Sequence, residues 1–271
     1  MKRCRITVGI TALTLFLAIE SSVFAQGLSI QPRATIGYQY YEFDGEENGV
    51  GNALGDFDYE TDYLFGGLGL TGQYNRFFVD LYGQTNLSDA NDNVDNLAGV
   101  DGIDSAADID RYELNLALGY AIIPSVTVSG GVKYARTKID TDLSGAAVID
   151  DVSTFDIDVE YVGPFFGAAY ALPVRNLGSA VVSGSVAYLF GETEADLLLN
   201  GNVTEADVKG ESIGANIGVA WAGGLGPLSS ALSGVGYSFG IDYSAYEFRD
   251  DGVEEFKEKT VRGRFDLKYR F

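Results

Sequence analysis

The sequence contains no histidine, so any chemistry it performs must use carboxylates, hydroxyls and cations. A Ser/His/Asp hydrolase set is ruled out, and the usual general base at neutral pH is missing. No pair of aspartates stands out as an acid–base couple, so the chain reads as a non-enzyme without a cofactor. Its charges group instead by parity. Arg262, Arg264, Lys268 and Arg270 share one face of a period-two pattern, and with Arg33 they form a candidate basic face. Asp80, Glu113, Asp156, Asp158 and Glu160 form a candidate acidic face. Set opposite one another across a narrow bore, these charges would create a transverse field that orients and filters small polar solutes. Paired with one another, they would make a salt-bridged polar plug. The segment from Asp89 to Asp95 is similar to the start of a calcium loop. However, Val94 stands where that loop needs Gly, and Val100 stands where it needs Glu. No metal site is assigned, and loose divalent-cation binding by the acidic loops is the most this spacing supports.

The element that must position the basic face is the last twelve residues, 260–271. Val261, Gly263, Phe265, Leu267, Tyr269 and Phe271 alternate without a break against Thr260, Arg262, Arg264, Asp266, Lys268 and Arg270. Period two means a β-strand, and about eleven residues is the length of a tilted membrane-crossing strand. With a charged face on one side and an apolar face on the other, it reads as the closing strand of a membrane barrel, apolar to lipid and polar to the lumen.

At the other end, Met1 to Arg5 is basic and residues 6–19 are an apolar run, with Val23-Phe24-Ala25 before a cleavage point. This is the three-part pattern of a secretory signal peptide, residues 1–25, leaving a barrel domain over 26–271. Cleavage would remove the single cysteine, Cys4, and with it any disulfide framework. It would also take the net charge from −21 to about −23, through loss of Lys2, Arg3, Arg5 and Glu20. So acidic a chain is not a nucleic-acid binder. A secreted chain with no further long apolar run can enter a membrane only as a closed barrel. The 35 glycines, 17 tyrosines and 16 phenylalanines suit strands and aromatic girdles.

Alternation predicts ten strands, at 33–43, 58–72, 77–87, 109–121, 126–138, 154–171, 180–191, 211–222, 231–247 and 260–271, although eight or twelve also fit. The second slips near Gly66-Gly67, as a bulge would make it. The seventh is predicted to run past the membrane into a hairpin at Asn200-Gly201. Connections after odd strands are expected to be long and acidic. The segment 88–108 carries Asp89, Asp92, Asp95, Asp101, Asp104 and Asp108 and no base. Connections after even strands are expected to be short, bearing Arg76 and Arg175. Tyr38, Tyr120, Tyr161, Trp221, Tyr243 and Tyr269 are expected at the membrane interfaces.

With its signal segment, alternating strands, unequal loops and terminal Tyr269-Arg270-Phe271, the chain resembles the bacterial outer-membrane β-barrel proteins. The resemblance covers the whole mature chain and selects no family within the class. It implies an all-β, antiparallel up-and-down transmembrane barrel in the outer membrane, with lipid and the barrel assembly machinery as partners. It also implies that Phe265, Leu267, Tyr269 and Phe271 form the assembly signal. Two functions are compatible with this fold. One is a porin-like barrel passing small polar solutes through a narrow charged lumen. The other is a sealed structural or adhesin-type barrel acting through acidic extracellular loops on an unknown partner.

Overall fold

The computed structural model describes residues 27–45, 57–88, 91–92, 94–95, 103–145, 154–199, 202–227, 229–250 and 253–271. The proposed signal peptide and much of the acidic connections, including Asp89 and Asp101, lie outside them. Ten strands form one antiparallel sheet: β1 Leu28–Gly45, β2 Phe57–Tyr74, β3 Phe77–Asn86, β4 Ile103–Ile123, β5 Val126–Gly145, β6 Thr154–Pro173, β7 Ser179–Leu199, β8 Asn202–Gly224, β9 Val235–Asp250 and β10 Val253–Tyr269. Each pairs with its sequence neighbours, and β1 pairs with both β2 and β10, which closes the barrel. Arg33 lies opposite Lys268 across that seam, so the two ends of the chain carry the basic face together.

Most strands have 16 to 23 residues, well beyond the nine to eleven or so that cross a bilayer. The excess lies at the end away from the termini, and there the face pattern inverts. On β6, Val162, Phe166, Tyr170 and Leu172 point outward in the membrane half and are 44% to 58% exposed. Farther along, Phe155, Ile157, Val159 and Tyr161 point inward and are at most 2% exposed. In hydrocarbon the outside must be apolar, whereas above it the outside meets water and the inside must be dry. Strands β1, β4 and β10 invert in the same way.

Several expectations change as a result. Asp156, Asp158 and Glu160 lie on the outer wall and not in the lumen. Tyr161 is an interior residue rather than a girdle residue, at 0% exposure. β2 has no bulge, since its register with β1 runs unbroken through Gly66 and Gly67. The apparent slip arises because inward Gly67 makes room for the Tyr82 ring of β3. Connection lengths sort as expected over the first six strands, with 46–56, 87–102 and 146–153 longer than 75–76, 124–125 and 174–178, but not over the last three connections. β7 continues to Leu199 and β8 begins at Asn202, so that hairpin is tight as predicted, and β9 and β10 are separated only by residues 251–252. At the opposite end, the β8–β9 connection is long and includes a one-turn 3-10 helix, Ser230–Leu232, so β9 starts at Val235. β3 is short, and the wall above it is continued by Asn91–Asp92 paired with β4 and Val94–Asp95 paired with β2.

Candidate functional site

Inward residues of the membrane half form the candidate site. Near the termini, the Arg33 guanidinium meets Asp80 at 3.2 Å and lies 4.4 Å over the Tyr82 ring. Asp80 also accepts a hydrogen bond from Thr71. Asp266 accepts hydrogen bonds from Thr35 at 2.7 Å and Ser238 at 2.6 Å. Arg270 stands at the mouth, where its Nε donates to Ser29 at 3.2 Å.

Higher in the bore the ions form a chain. Arg264 reaches Asp242 at 3.5 Å, and Asp242 takes the Arg262 Nε at 2.7 Å. Arg262 reaches Glu113 at 3.3 Å, and Lys133 approaches the same carboxylate at 3.7 Å. Glu113 takes Arg111 at 2.9 Å, and Arg111 grips both oxygens of Glu258, at 2.6 and 3.1 Å. The side chains of this chain are at most 9% exposed. Charges so desolvated persist because each carboxylate stands beside a guanidinium or ammonium group of opposite sign.

Arg262, Arg264, Arg33, Asp80 and Glu113 thus stand on the lumen wall as expected, and Lys268 and Arg270 share their face. Asp156, Asp158 and Glu160 are not brought to them. Their place is taken by Asp242, Glu258 and Asp266, with Arg111 and Lys133 as further cations. The signal for these was parity: Glu258 shares the face of Arg262, and Arg111 shares that of Glu113.

Above the ion chain, the bore is occupied by an apolar layer. Tyr41, Phe43, Phe155, Tyr161, Phe248 and Phe256 are at most 3% exposed. Phe248 stacks on Phe256 at 4.2 Å, Phe43 meets Phe256 at 4.8 Å, and Tyr161 meets Phe248 at 5.4 Å. The two layers are joined by cations over rings, Arg111 over Tyr41 at 4.9 Å and Lys133 over Tyr246 at 4.4 Å, and by Tyr161, whose hydroxyl accepts from Arg111 at 2.9 Å. Two of the glycines on these strands, Gly214 and Gly119, are covered by neighbouring rings. A Cβ at Gly214 would run into Tyr246, and one at Gly119 into Phe78.

Outside the barrel, beyond the apolar belt, the wall is strongly acidic. Asp108, Asp140, Asp156 and Asp196 lie directly opposite one another across β4 to β7. Partial burial, and then the Asp140 carboxylate beside it, raise the Asp156 carboxyl above its ordinary range. Among the described residues, no group of His, Cys, Asp or Glu is arranged to hold a metal ion. Phe265, Leu267, Tyr269 and Phe271, the residues expected to form an assembly signal, lie on the outer face, each at least 45% exposed.

No protein-family model matches this chain, and no curated protein matches it. Among solved structures, it is similar to the outer-membrane protease OmpT from Escherichia coli, with 8% identity, 93% of this chain and 100% of that chain covered, and a TM-score of 0.56. It also matches the translocator domain of the autotransporter NalP from Neisseria meningitidis (12% identity, 94% and 92% covered, TM-score 0.45). A further match is Ail, the attachment invasion locus protein of Yersinia pestis (13% identity, 89% and 98% covered, TM-score 0.34). At such identities the likeness is one of fold: a closed, up-and-down barrel of the bacterial outer-membrane type.

Proposed function

We propose that this chain, an outer-membrane type β-barrel, is a sealed barrel that works through its extracellular wall and loops and passes no solute through its bore. The observation that supports this reading is the stack of two layers across the lumen. An ion chain runs from Arg264 to Glu258 through successive salt bridges. Over it lies an aromatic layer whose members are almost wholly buried. A hydrated ion entering the bore would have to break buried ion pairs and then cross a dry layer, each step costing several kcal/mol. The acidic exterior then becomes the part of the molecule available to a partner. Catalysis forms no part of this reading, since the interior carboxylates are engaged by cations and the sequence offers no histidine to serve as a base.

The test is conductance of the refolded protein in a planar bilayer at two salt concentrations. Silence from protein shown to be folded by its heat-modifiable migration is the expected result. Discrete, salt-dependent steps would overturn the reading in favour of a porin-like barrel.

A further inference from the structure

Charge does not balance along the whole bore. In its upper part Arg111, Lys133 and Arg262 stand against Glu113, Asp242 and Glu258. Toward the termini, among the described residues, Arg33, Arg264 and Lys268 share only Asp80 and Asp266. Arg264 reaches Asp242 at 3.5 Å, but that carboxylate already holds Arg262 at 2.7 Å. Lys268 also lies in the repulsive field of Arg33 and Arg264. An excess cation in a desolvated bore is costly. Counting the α-carboxylate of Phe271 against Arg270 at the mouth leaves this inner excess as it is. The connections at the same end, 75–76, 124–125, 174–178 and 225–234, hold Arg76 and Arg175 and no acid, in a chain with 39 acidic residues. That end therefore draws anions toward the bore. Room for one lies on the facing wall. Gly236 of β9 is directly opposite Lys268, and a Cβ there would meet nothing nearer than 3.4 Å. Inward Ala169 and Ala220 are half-buried, whereas inward Ala117, Ala135 and Ala187 are at most 8% exposed. Ser183 shares an inward row with Gly218 and Asp242, and its buried hydroxyl has no hydrogen-bond partner among the described residues.

We infer that the lower bore binds a small oxyanion of the phosphate class, held by Arg33, Arg264 and Lys268 with the Ser183 hydroxyl as a further donor. Two features select this class. Guanidinium forks match paired oxygens, which phosphate presents and a halide does not. The cations point inward from β1 and β10, whose outer faces at this level are apolar Ile36, Phe265 and Leu267, so the strand wall separates them from lipid headgroups. The site lies below the aromatic layer and does not depend on the seal.

The test is phosphorus NMR of inorganic phosphate titrated with the full mature chain, refolded in a phosphorus-free detergent at an ionic strength fixed by sodium chloride. The wild type should broaden the phosphate line saturably. Lys268→Gln evens the lower bore at two cations and two carboxylates, and should weaken binding about tenfold while heat-modifiable migration persists. Gly236→Val fills the space opposite Lys268 without altering charge, and should weaken binding as well. Arg76→Gln, at the rim, should leave it unchanged. Absence of saturable broadening, or full binding by either bore variant that still folds, would overturn the inference. An equal loss in Arg76→Gln would do so too, since the attraction would then be a diffuse property of the rim. Competition by phosphatidylglycerol at equal phosphorus concentration would also overturn it, because the site would then face lipid. Conductance is read separately. A conducting protein that binds phosphate would remove the sealed-barrel reading and spare this site, and a silent protein that ignores phosphate would do the reverse.

Discussion

Arg111 is the residue on which the two lumen layers depend. It bonds Glu113 and Glu258 at once, donates to Tyr161, and lies over Tyr41. Removing it leaves two buried carboxylates facing each other with less compensation. Arg111→Ala should therefore cost about 3–5 kcal/mol, read as a lower urea midpoint of the refolded barrel. A loss under about 1 kcal/mol would mean that water already reaches the site. Asp156 works in the opposite sense. Its raised folded-state value means that folding favours the protonated form, so its contribution is present at acid pH and lost as pH rises through that value. Asp156→Asn should accordingly raise the urea midpoint at pH 7 and leave it unchanged at pH 3. A gain that persists at pH 3 would show that repulsion from Asp140 and Asp196 is not the cause.

At the scale of the strand, β10 supplies Glu258, Arg262, Arg264 and Asp266 to the lumen and Phe265, Leu267 and Tyr269 to the lipid, with Phe271 just beyond its end. A conducting bore would respond to loss of its arginines. With an aromatic layer above them, Arg262→Ala combined with Arg264→Ala should leave bilayers silent while lowering stability. Currents from that double variant would place the seal in the ion chain alone. This strand was the most legible part of the sequence, because its alternation holds one phase and its neighbour across the seam, Arg33, followed from closure. β6 was misread for a physical reason. Period two fixes which residues share a face but not which face is inside, and the face exposed to water changes where the lipid ends. A signal for the change was present. Two adjacent apolar residues, Tyr161-Val162 on β6, Tyr40-Tyr41 on β1 and Leu189-Phe190 on β7, mark the row where the apolar series moves from the inside to the outside. Arg111 and Glu258 lie beyond or at that row, and for this reason parity with the membrane-level charges was the only clue to them.

At the scale of the whole molecule, charge is separated by the wall. The sequence carries a net charge of −21, yet the bore holds nearly balanced cations and carboxylates, so the excess acid is on the exterior and in the loops. The membrane half was legible because lipid imposes a strict rule on every outward position. The extended half was not, because its strands obey the weaker pattern of any sheet around a dry core, and two of its connections, 200–201 and 251–252, are tight hairpins. The inversion of faces has a further effect on how the barrel sits. Because the long strands that invert do so near one level, the molecule carries a ruled line around much of its circumference. Sinking it by a single row would drag charged side chains such as Glu42, Arg136, Glu160 and Lys259 into hydrocarbon, and raising it would strand apolar ones such as Tyr40, Val162, Phe190 and Val261 in water. The barrel is thereby a gauge of depth, fixed along the membrane normal by its own wall, and a bilayer of another thickness would have to stretch or thin to meet it.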